Sequence, residues 1–463
     1  MSDEKEVAKK GGEAGQQTTG MSVEHLLKML AASSQGQERT PKPMEEYKFW
    51  KTQPVTKFGA EVDQEGPIEN KTIEEVAKEP MKLPEKFEWD TVDISKPEEV
   101  NEIYELLYYN YIEDDDATFR FKYSPEFLNW ALTCPGWNPE WNVGVRVKDE
   151  EGKGKGKGKL VGFISGIPAK IRVRDKEEFK IAEINFLCVH KKLRSKRLAP
   201  MLIREVTRRV NLTGVWQALY TAGNVLPSPV STCRYYHRSI NWPKLYDVGF
   251  SPLPVGSTPA KQVARFALPN EPTLPNLREM TEKDIPQVHK LFSEYLQRFD
   301  ISPVFSEDEL QHWFLHNGKK SGVVYSYVIT NSDDQVTDFF NFYGIESSVL
   351  GNKNHDSIKV AYSFYYATDV ALKKDAKKQD VKKRLTAVFQ DALILAKKYD
   401  YDVFNALSLQ ENALFLEDLK FGPGDGFLNY YLFNYKAFPV HGGIDAKDNL
   451  EYKAPGGMGV VLL

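Results

Sequence analysis

The residues best equipped for chemistry crowd into one short stretch. Lys191, Lys192, Arg194, Lys196 and Arg197 place five cations within seven residues, Ser195 stands among them, and Cys188 lies just upstream. Elsewhere Asp114, Asp115 and Asp116 are adjacent, His312 and His316 are spaced i, i+4, and the chain ends Val460, Val461, Leu462, Leu463. Clustered cations with a hydroxyl suit a phosphate-bearing ligand. A thiol suits nucleophilic catalysis, three carboxylates a basic group or a weak metal site, and paired histidines a metal. Each has a plainer reading. The cations form a solvated charge run or a nuclear address. Cys188 is a buried thiol, because no base partner for it is identifiable. The aspartates form a solvated turn, the histidines are helix residues outside any HExxH pattern, and the apolar end is packing. The run EGKGKGKGK at 151–159 is not a P-loop. Its glycines fall at even positions, and Leu160 follows Lys159 where Ser or Thr would be needed.

Context decides between the readings of the cationic run. It separates a strand expected over 181–189 from an amphipathic helix expected over 198–210. A helix N-terminus offers unpaired N–H groups and the positive end of a dipole, so cations in that turn extend a phosphate site. Earlier elements lead up to it. A helix is expected over 96–112, and a second over 124–132 with Ser124 as N-cap and Pro125 in its first turn. Strands are expected over 141–147 and 160–173, and a further one over 216–222.

The second half repeats this order about 180 residues on. Helices are expected over 283–297 and 306–315, with Trp313 falling where Trp130 does. Strands follow over 322–329, 337–346 and 359–367, then a helix over Lys378–Lys398 and a strand over Val403–Leu407. Six prolines over 252–275 separate the halves. The expected fold is α/β (α+β): two tandem lobes of N-acetyltransferase-like plan related by a pseudo-twofold duplication, with mixed twisted sheets flanked by helices. Residues 1–43, rich in Lys, Glu, Gly, Gln and Ser, read as a disordered arm. Residues 44–262 and 263–463 are the two lobes.

Composition narrows the field. The 463 residues exceed a typical single core. With 41% hydrophobic residues and a formal charge of −4, a globally basic nucleic-acid binder is disfavoured. Three scattered cysteines make no disulfide framework or zinc site and fit a reducing compartment. No apolar run is long enough to span a membrane, and residues 1–15 lack a signal-peptide core. A soluble cytoplasmic protein is expected, and no metal.

The plan of strand, turn and long helix is that of the acyl-CoA-using N-acetyltransferase superfold. In that superfold the strand handles the thioester carbonyl and the turn holds the pyrophosphate. The resemblance then becomes specific. EINFLCVHKKLRSKRLAP at 183–200 is similar to the signature of the N-myristoyltransferases. YKFWKTQPV at 47–55, IEDDDATFRFKYS at 112–124, YTAG at 220–223, CRYYHRS at 233–239 and the terminal GMGVVLL resemble further motifs of that family. The resemblance runs from about Tyr47 to Leu463.

The family transfers a fourteen-carbon acyl group from CoA to an N-terminal glycine amine, by direct attack and without an acyl-enzyme. Myristoyl-CoA is then a co-substrate, and no tightly bound cofactor is implied. Carried over, Tyr47, Lys48, Phe49 and Trp50 touch the coenzyme, and Phe186, Leu187, Cys188 and Val189 lie along the thioester. Ser195, Lys196, Arg197, Leu198 and Ala199 hold the phosphates. The N–H groups of Phe186 and Leu187 form an oxyanion hole, each donor worth roughly 3–4 kcal/mol. The carboxylate of Leu463 is the base, and Asn185 and Thr221 bond the incoming amine. Tyr111, Phe119, Phe121, Tyr123, Tyr235, His237, Phe250, Ser363 and Leu407 line the peptide groove. Asp114, Asp115, Asp116 and Asp425 receive a basic residue of the peptide. The implied partners are myristoyl-CoA and nascent or cleaved proteins with an N-terminal glycine. The arm stands where the family has N-terminal segments thought to contact ribosomes, and a monomer is implied.

The sequence also departs from the pattern. Arg197 stands where the acetyltransferase turn has glycine, and Ser408 where the family has an acidic residue. Two other readings stay open: a short-chain acyl-CoA N-acetyltransferase, and a non-catalytic protein that binds acyl-CoA or glycine-ended peptides.

Overall fold

The computed structural model describes residues 41–111, 118–148, 157–316, 322–452 and 457–463. Most of the expected arm, Asp114, Asp115 and Asp116, and most of the lysine–glycine run lie outside the described residues.

The expected helix starts form for local reasons. Ser124 Oγ accepts from Phe127 N at 3.2 Å and begins helix Pro125–Leu132. Its counterpart Ser306 makes a capping box with Glu309 and begins helix Glu307–Leu315. Helices Pro97–Asn110, Leu198–Asn211, Ile285–Leu296 and Lys378–Lys398 also lie where the apolar spacing put them. A short helix, Pro259–Phe266, lies within the proline-marked boundary, and another, Trp242–Asp247, just before it.

The strands are β1 (Gly66–Pro67), β2 (Phe87–Thr91), β3 (Phe119–Lys122), β4 (Asn142–Val147), β5 (Leu160–Val173), β6 (Phe179–Val189), β7 (Gln217–Ala222) and β8 (Ser231–Ser239). The second half supplies β9 (Leu277–Glu279), β10 (Ile301–Pro303), β11 (Val324–Thr330), β12 (Val336–Val349), β13 (Ser357–Thr368), β14 (Val403–Leu407), β15 (Gly422–Phe433) and β16 (Tyr435–Lys436). Apart from the β1–β16 pair, they form a 14-stranded sheet ordered β2-β4-β5-β6-β7-β15-β8-β14-β13-β12-β11-β9. The remaining two are β10, which pairs with β5, and β3, which pairs with β12.

This order is a duplication with exchange. Each half has one parallel pair, β6–β7 and β13–β14. Each half also lends strands to the other: β15 lies on β7 while β8 lies on β14, and β10 lies on β5 while β3 lies on β12. The equivalent tryptophans Trp130 and Trp313 meet edge-to-face, ring centroids 5.3 Å apart, within the largest apolar cluster. A second cluster packs helix Leu198–Asn211 through Leu198, Leu202, Val206 and Val210 onto Val161, Ile164 and Ala182 of the sheet. That contact fixes the start of the helix beside β6. Among the described residues no helix is long and apolar enough to cross a membrane.

Candidate active site

The parallel pairing of β6 with β7 covers only Ile181–Glu183 against Gln217–Leu219. β15 pairs with the other edge of β7 along Ala218–Ala222, while past Leu219 β6 and β7 part. At this opening β6 is irregular. Phe163 faces Cys188 and Ser165 faces Asn185, so Phe186 and Leu187 together oppose Ile164 alone. That two-against-one count is a β-bulge. Phe186 takes a left-handed backbone, φ 54°, a conformation that costs a non-glycine residue on the order of 1 kcal/mol. Its buried ring, 5.4 Å from that of Tyr123, holds it there. The Phe186 N–H donates to Asn185 Oδ1 at 2.8 Å.

Asn185 also reaches the end of the chain. Its Nδ2 donates to the terminal oxygen of Leu463 at 2.5 Å, across 278 positions. The last residues are threaded tightly. Gly459 N bonds Ile301 O at 2.7 Å, and Gln410 N bonds Met458 O at 2.9 Å. The Tyr365 hydroxyl accepts from Val461 N at 3.0 Å and donates to Val461 O at 3.2 Å. Val460, Val461 and Leu462 are buried. A Cβ on Gly459 would sit 2.9 Å from Phe299 Cβ and 3.0 Å from Ile301 O, so only glycine passes there.

After β6 the cationic run forms a 3₁₀ turn, Lys191–Lys196, in which Asn110 Oδ1 accepts from Lys191 N. The Arg194 guanidinium donates to Asn110 O at 2.8 Å and so serves the turn itself. Arg197 joins turn to helix with φ 57°, which explains why glycine suits this place in related turns. Ser195, Lys196 and Arg197 are exposed at the helix N-terminus. Leu198, which follows them, is buried.

Residues 47–50 pack nearby. The Tyr47 hydroxyl donates to Val225 O at 3.0 Å, and the Phe49 ring lies 5.7 Å from the Arg204 guanidinium of the same helix. Trp50 stacks on Tyr220 at 5.5 Å, and Tyr220 stacks on Tyr431 at 5.1 Å. Lys48 is exposed beside them.

A cavity of about 540 Å³ connects the bulge, the chain end, Trp50 and Tyr220. One part is an aliphatic sleeve between sheet and helix, lined by Ile164, Ala182, Ile203, Val206 and Val210. The other is aromatic and takes in seven expected groove residues: Tyr111, Phe119, Phe121, Tyr123, Tyr235, His237 and Phe250. Asn185, Phe186, Leu187, Thr221 and Leu463 also line it. Ser363 and Leu407 do not; they lie in β13 and β14, where Leu407 is buried against Tyr235. Burial lowers the proton affinity of His237, opposed by the Asn405 side chain and, less, by Asp425, which is exposed on β15. His237 Nδ1 lies 2.7 Å from Asn405 Oδ1.

Cys188 is buried with its thiol on Leu106 O, and burial pushes it up to about 12, the setting of a core thiol. Val189 is buried behind it. His312 Nε2 lies 2.8 Å from Trp130 O, a core contact. No group of three or more His, Cys, Asp or Glu among the described residues is placed to hold a metal. The Tyr365 clamp, the Tyr220–Tyr431 stack and Asn405 had no local signature that singled them out.

A parallel strand pair that opens at a bulge, beside a helix entered through a cationic turn, is the N-acetyltransferase arrangement for holding a thioester between strands. It defines the class of acyl-CoA-dependent acyltransferases. Comparison with known proteins narrows the class. Residues 67–233 match the N-terminal domain, and residues 247–461 the C-terminal domain, of "Myristoyl-CoA:protein N-myristoyltransferase". The chain is 52% identical over 429 residues to glycylpeptide N-tetradecanoyltransferase of Schizosaccharomyces pombe, covering 91% of each chain. It is 51% identical over 450 residues to that of Candida albicans, covering 96% of each. The crystal structure of Saccharomyces cerevisiae N-myristoyltransferase with bound myristoyl-CoA superposes with a TM-score of 0.86 at 47% identity, covering 91% of this chain and 100% of that one. The chain belongs to the N-myristoyltransferase family.

Proposed function

We propose that this chain transfers the myristoyl group of myristoyl-CoA to the N-terminal glycine amine of proteins, by direct attack of the amine on the thioester. The observation that carries this reading is the Leu463 terminal oxygen on Asn185 Nδ2, at the bulge and inside the substrate cavity. Phosphates sit on the turn at Ser195, Lys196 and Arg197 and on the backbone of Leu198 and Ala199, with Tyr47, Lys48, Phe49 and Trp50 against the rest of the coenzyme. The aliphatic sleeve takes the acyl chain and is far larger than an acetyl group needs. The thioester lies along Phe186, Leu187, Cys188 and Val189. Its oxygen takes over the Phe186 N–H from Asn185 Oδ1 and gains Leu187 N–H as the tetrahedral charge forms.

The Leu463 carboxylate removes a proton from the amine, which Asn185 and Thr221 orient. A carboxyl near ~3.5 and an amine near ~7.8 differ by about four units, or about 6 kcal/mol. Val460, Val461 and Leu462 are buried, and desolvation of the carboxylate beside them is what would raise its proton affinity toward the task. The aromatic part of the cavity takes the peptide. Asp114, Asp115, Asp116 and Asp425 attract its basic residue, with Ser363 and Leu407 as outlying supports of the groove. Residues 44–262 supply most of the acyl-CoA site, and residues 263–463 supply the C-terminus and part of the peptide site. The protein works as a cytoplasmic monomer on nascent or cleaved chains, with the arm 1–43 as a contact to the ribosome.

Deleting Leu463 tests this directly. Myristoyl-CoA affinity is expected to persist while turnover of a GxxxS peptide collapses; surviving turnover rules out the terminal carboxylate as base. Faster turnover with acetyl-CoA than with myristoyl-CoA would overturn the substrate assignment.

A further inference from the structure

Leu463 lines two cavities and is the one residue they share. The first is the substrate cavity. The second is a space of about 30 Å³, enough for roughly two waters. Alternation along β6 separates them: Ala182 and Ile184 line the first, Ile181 and Glu183 the second. The carboxyl of half-buried Glu183 makes no hydrogen bond or ion pair among the described residues. Tyr365, Val460 and Val461 line the same space, as do half-buried Glu309 and exposed Lys170, so its wall runs from the chain terminus to the surface. An unpartnered carboxyl on a water-sized space is placed to bond water.

The reaction needs such a place. An ammonium group plus a thioester gives an amide, a thiol and one proton that neither product keeps. The terminal carboxylate receives that proton while acyl-CoA and peptide fill the large cavity. Resting on the reading of that carboxylate as the base, we propose that Glu183 relays the released proton from Leu463, through water in the small cavity, toward Glu309 and Lys170. Its carboxyl accepts a proton on the carbonyl oxygen and gives up the one on the hydroxyl oxygen, ending in the state in which it began.

The surroundings favour this role. Burial pushes the Glu183 carboxyl up to about 8, so at neutral pH it is a neutral acid with one donor and one acceptor. The other groups facing it do not compete. Cys134 is pushed up to about 12, Tyr365 is held neutral by burial, and Lys170 is paired with Glu178 at 3.0 Å. Glu309, on the same cavity, caps its own helix at Ser306.

The test is Glu183→Gln in the full-length protein, read as single-turnover transfer from myristoyl-CoA to a GxxxS peptide. Glutamine copies the shape and water bonding of the neutral acid but cannot pass a proton on, so a packing role survives the change. Near neutral pH the transfer rate is expected to fall at least about 10-fold, within the range of acid–base contributions. Myristoyl-CoA affinity should stay unchanged, and Glu183→Asp should recover part of the rate. Transfer at the wild-type rate in Glu183→Gln, beside an inactive Leu463 deletion, overturns the relay and leaves the base reading intact. An active Leu463 deletion overturns the base reading itself. Equal rate losses in the Gln and Asp variants, accompanied by a lower Tm, assign Glu183 a structural role and also overturn the relay.

Discussion

Asn185 ties the Phe186 N–H to the Leu463 terminus, the proposed oxyanion donor and the proposed base, and separating its two bonds measures each. Asn185→Asp keeps the acceptor for Phe186 N but replaces the donor that meets Leu463 at 2.5 Å. Asn185→Ala removes both. A hydrogen bond to a charged group is worth about 1.5–3 kcal/mol, so its loss slows transfer roughly 10- to 100-fold if the carboxylate must be held in place. The aspartate adds like-charge repulsion of about 4 kcal/mol at ~4 Å and intermediate dielectric. Protonation of the new acid limits that term. The Asp variant should therefore be slower than the Ala variant near neutral pH, and its deficit should shrink as pH falls. Single-turnover transfer followed by mass spectrometry reads both rates, with myristoyl-CoA affinity measured in parallel. An Asp variant as fast as wild type would show that the Asn185–Leu463 bond orients nothing, and the reasoning from it would fail.

Three further outcomes follow from the same geometry. Gly459→Ala forces a Cβ against Phe299 and Ile301 O and should displace the terminus, cutting turnover at least about 10-fold while acyl-CoA still binds; normal turnover would mean the tail has room to shift. Arg197→Ala should weaken myristoyl-CoA binding more at low salt than at high salt, as titration at two ionic strengths will show, and an equal loss at both would deny a phosphate contact. Glu183 holds its proton in the folded state from its ordinary value of 4.5 up to about 8, whereas the unfolded chain has released it. Stability should fall with rising pH across that window, by at most ~1.4 kcal/mol per unit, and level off above it. Glu183→Gln should flatten this slope in denaturant titrations, and an unchanged slope would place the carboxyl in contact with bulk water.

Much of the frame was legible along the chain because local chemistry set it. Ser124 and Ser306 announced their helices, and helix Lys378–Lys398 and strand β14 fell on their expected bounds. The bulge at Phe186 was not legible, because its left-handed backbone is imposed by the packed Tyr123 ring and the opening between β6 and β7. β8 carries polar residues at Thr232, Arg234, His237 and Arg238, and β15 opens with Gly422, Pro423 and Gly424, so neither shows a strand pattern. Their partners are distant in sequence, which hid the exchange altogether. The motif resemblance pointed to the aromatic part of the cavity wall but also to Ser363 and Leu407, which lie off it, and Tyr365, which clamps the tail, needed the folded chain.

That exchange of strands shapes how the protein comes to be folded at all. β7 leaves the ribosome roughly 200 residues before β15, which is on the order of 10–40 s of synthesis. Until then the first half presents the bare edge of β7, an invitation to pair with the wrong chain. The long-range pairings also give the fold a high contact order and hence slow folding. Halves interleaved in one sheet are therefore poor units for separate expression. The nascent chain depends on shielding until β15, and soon after it the tail that ends at Leu463, has been made.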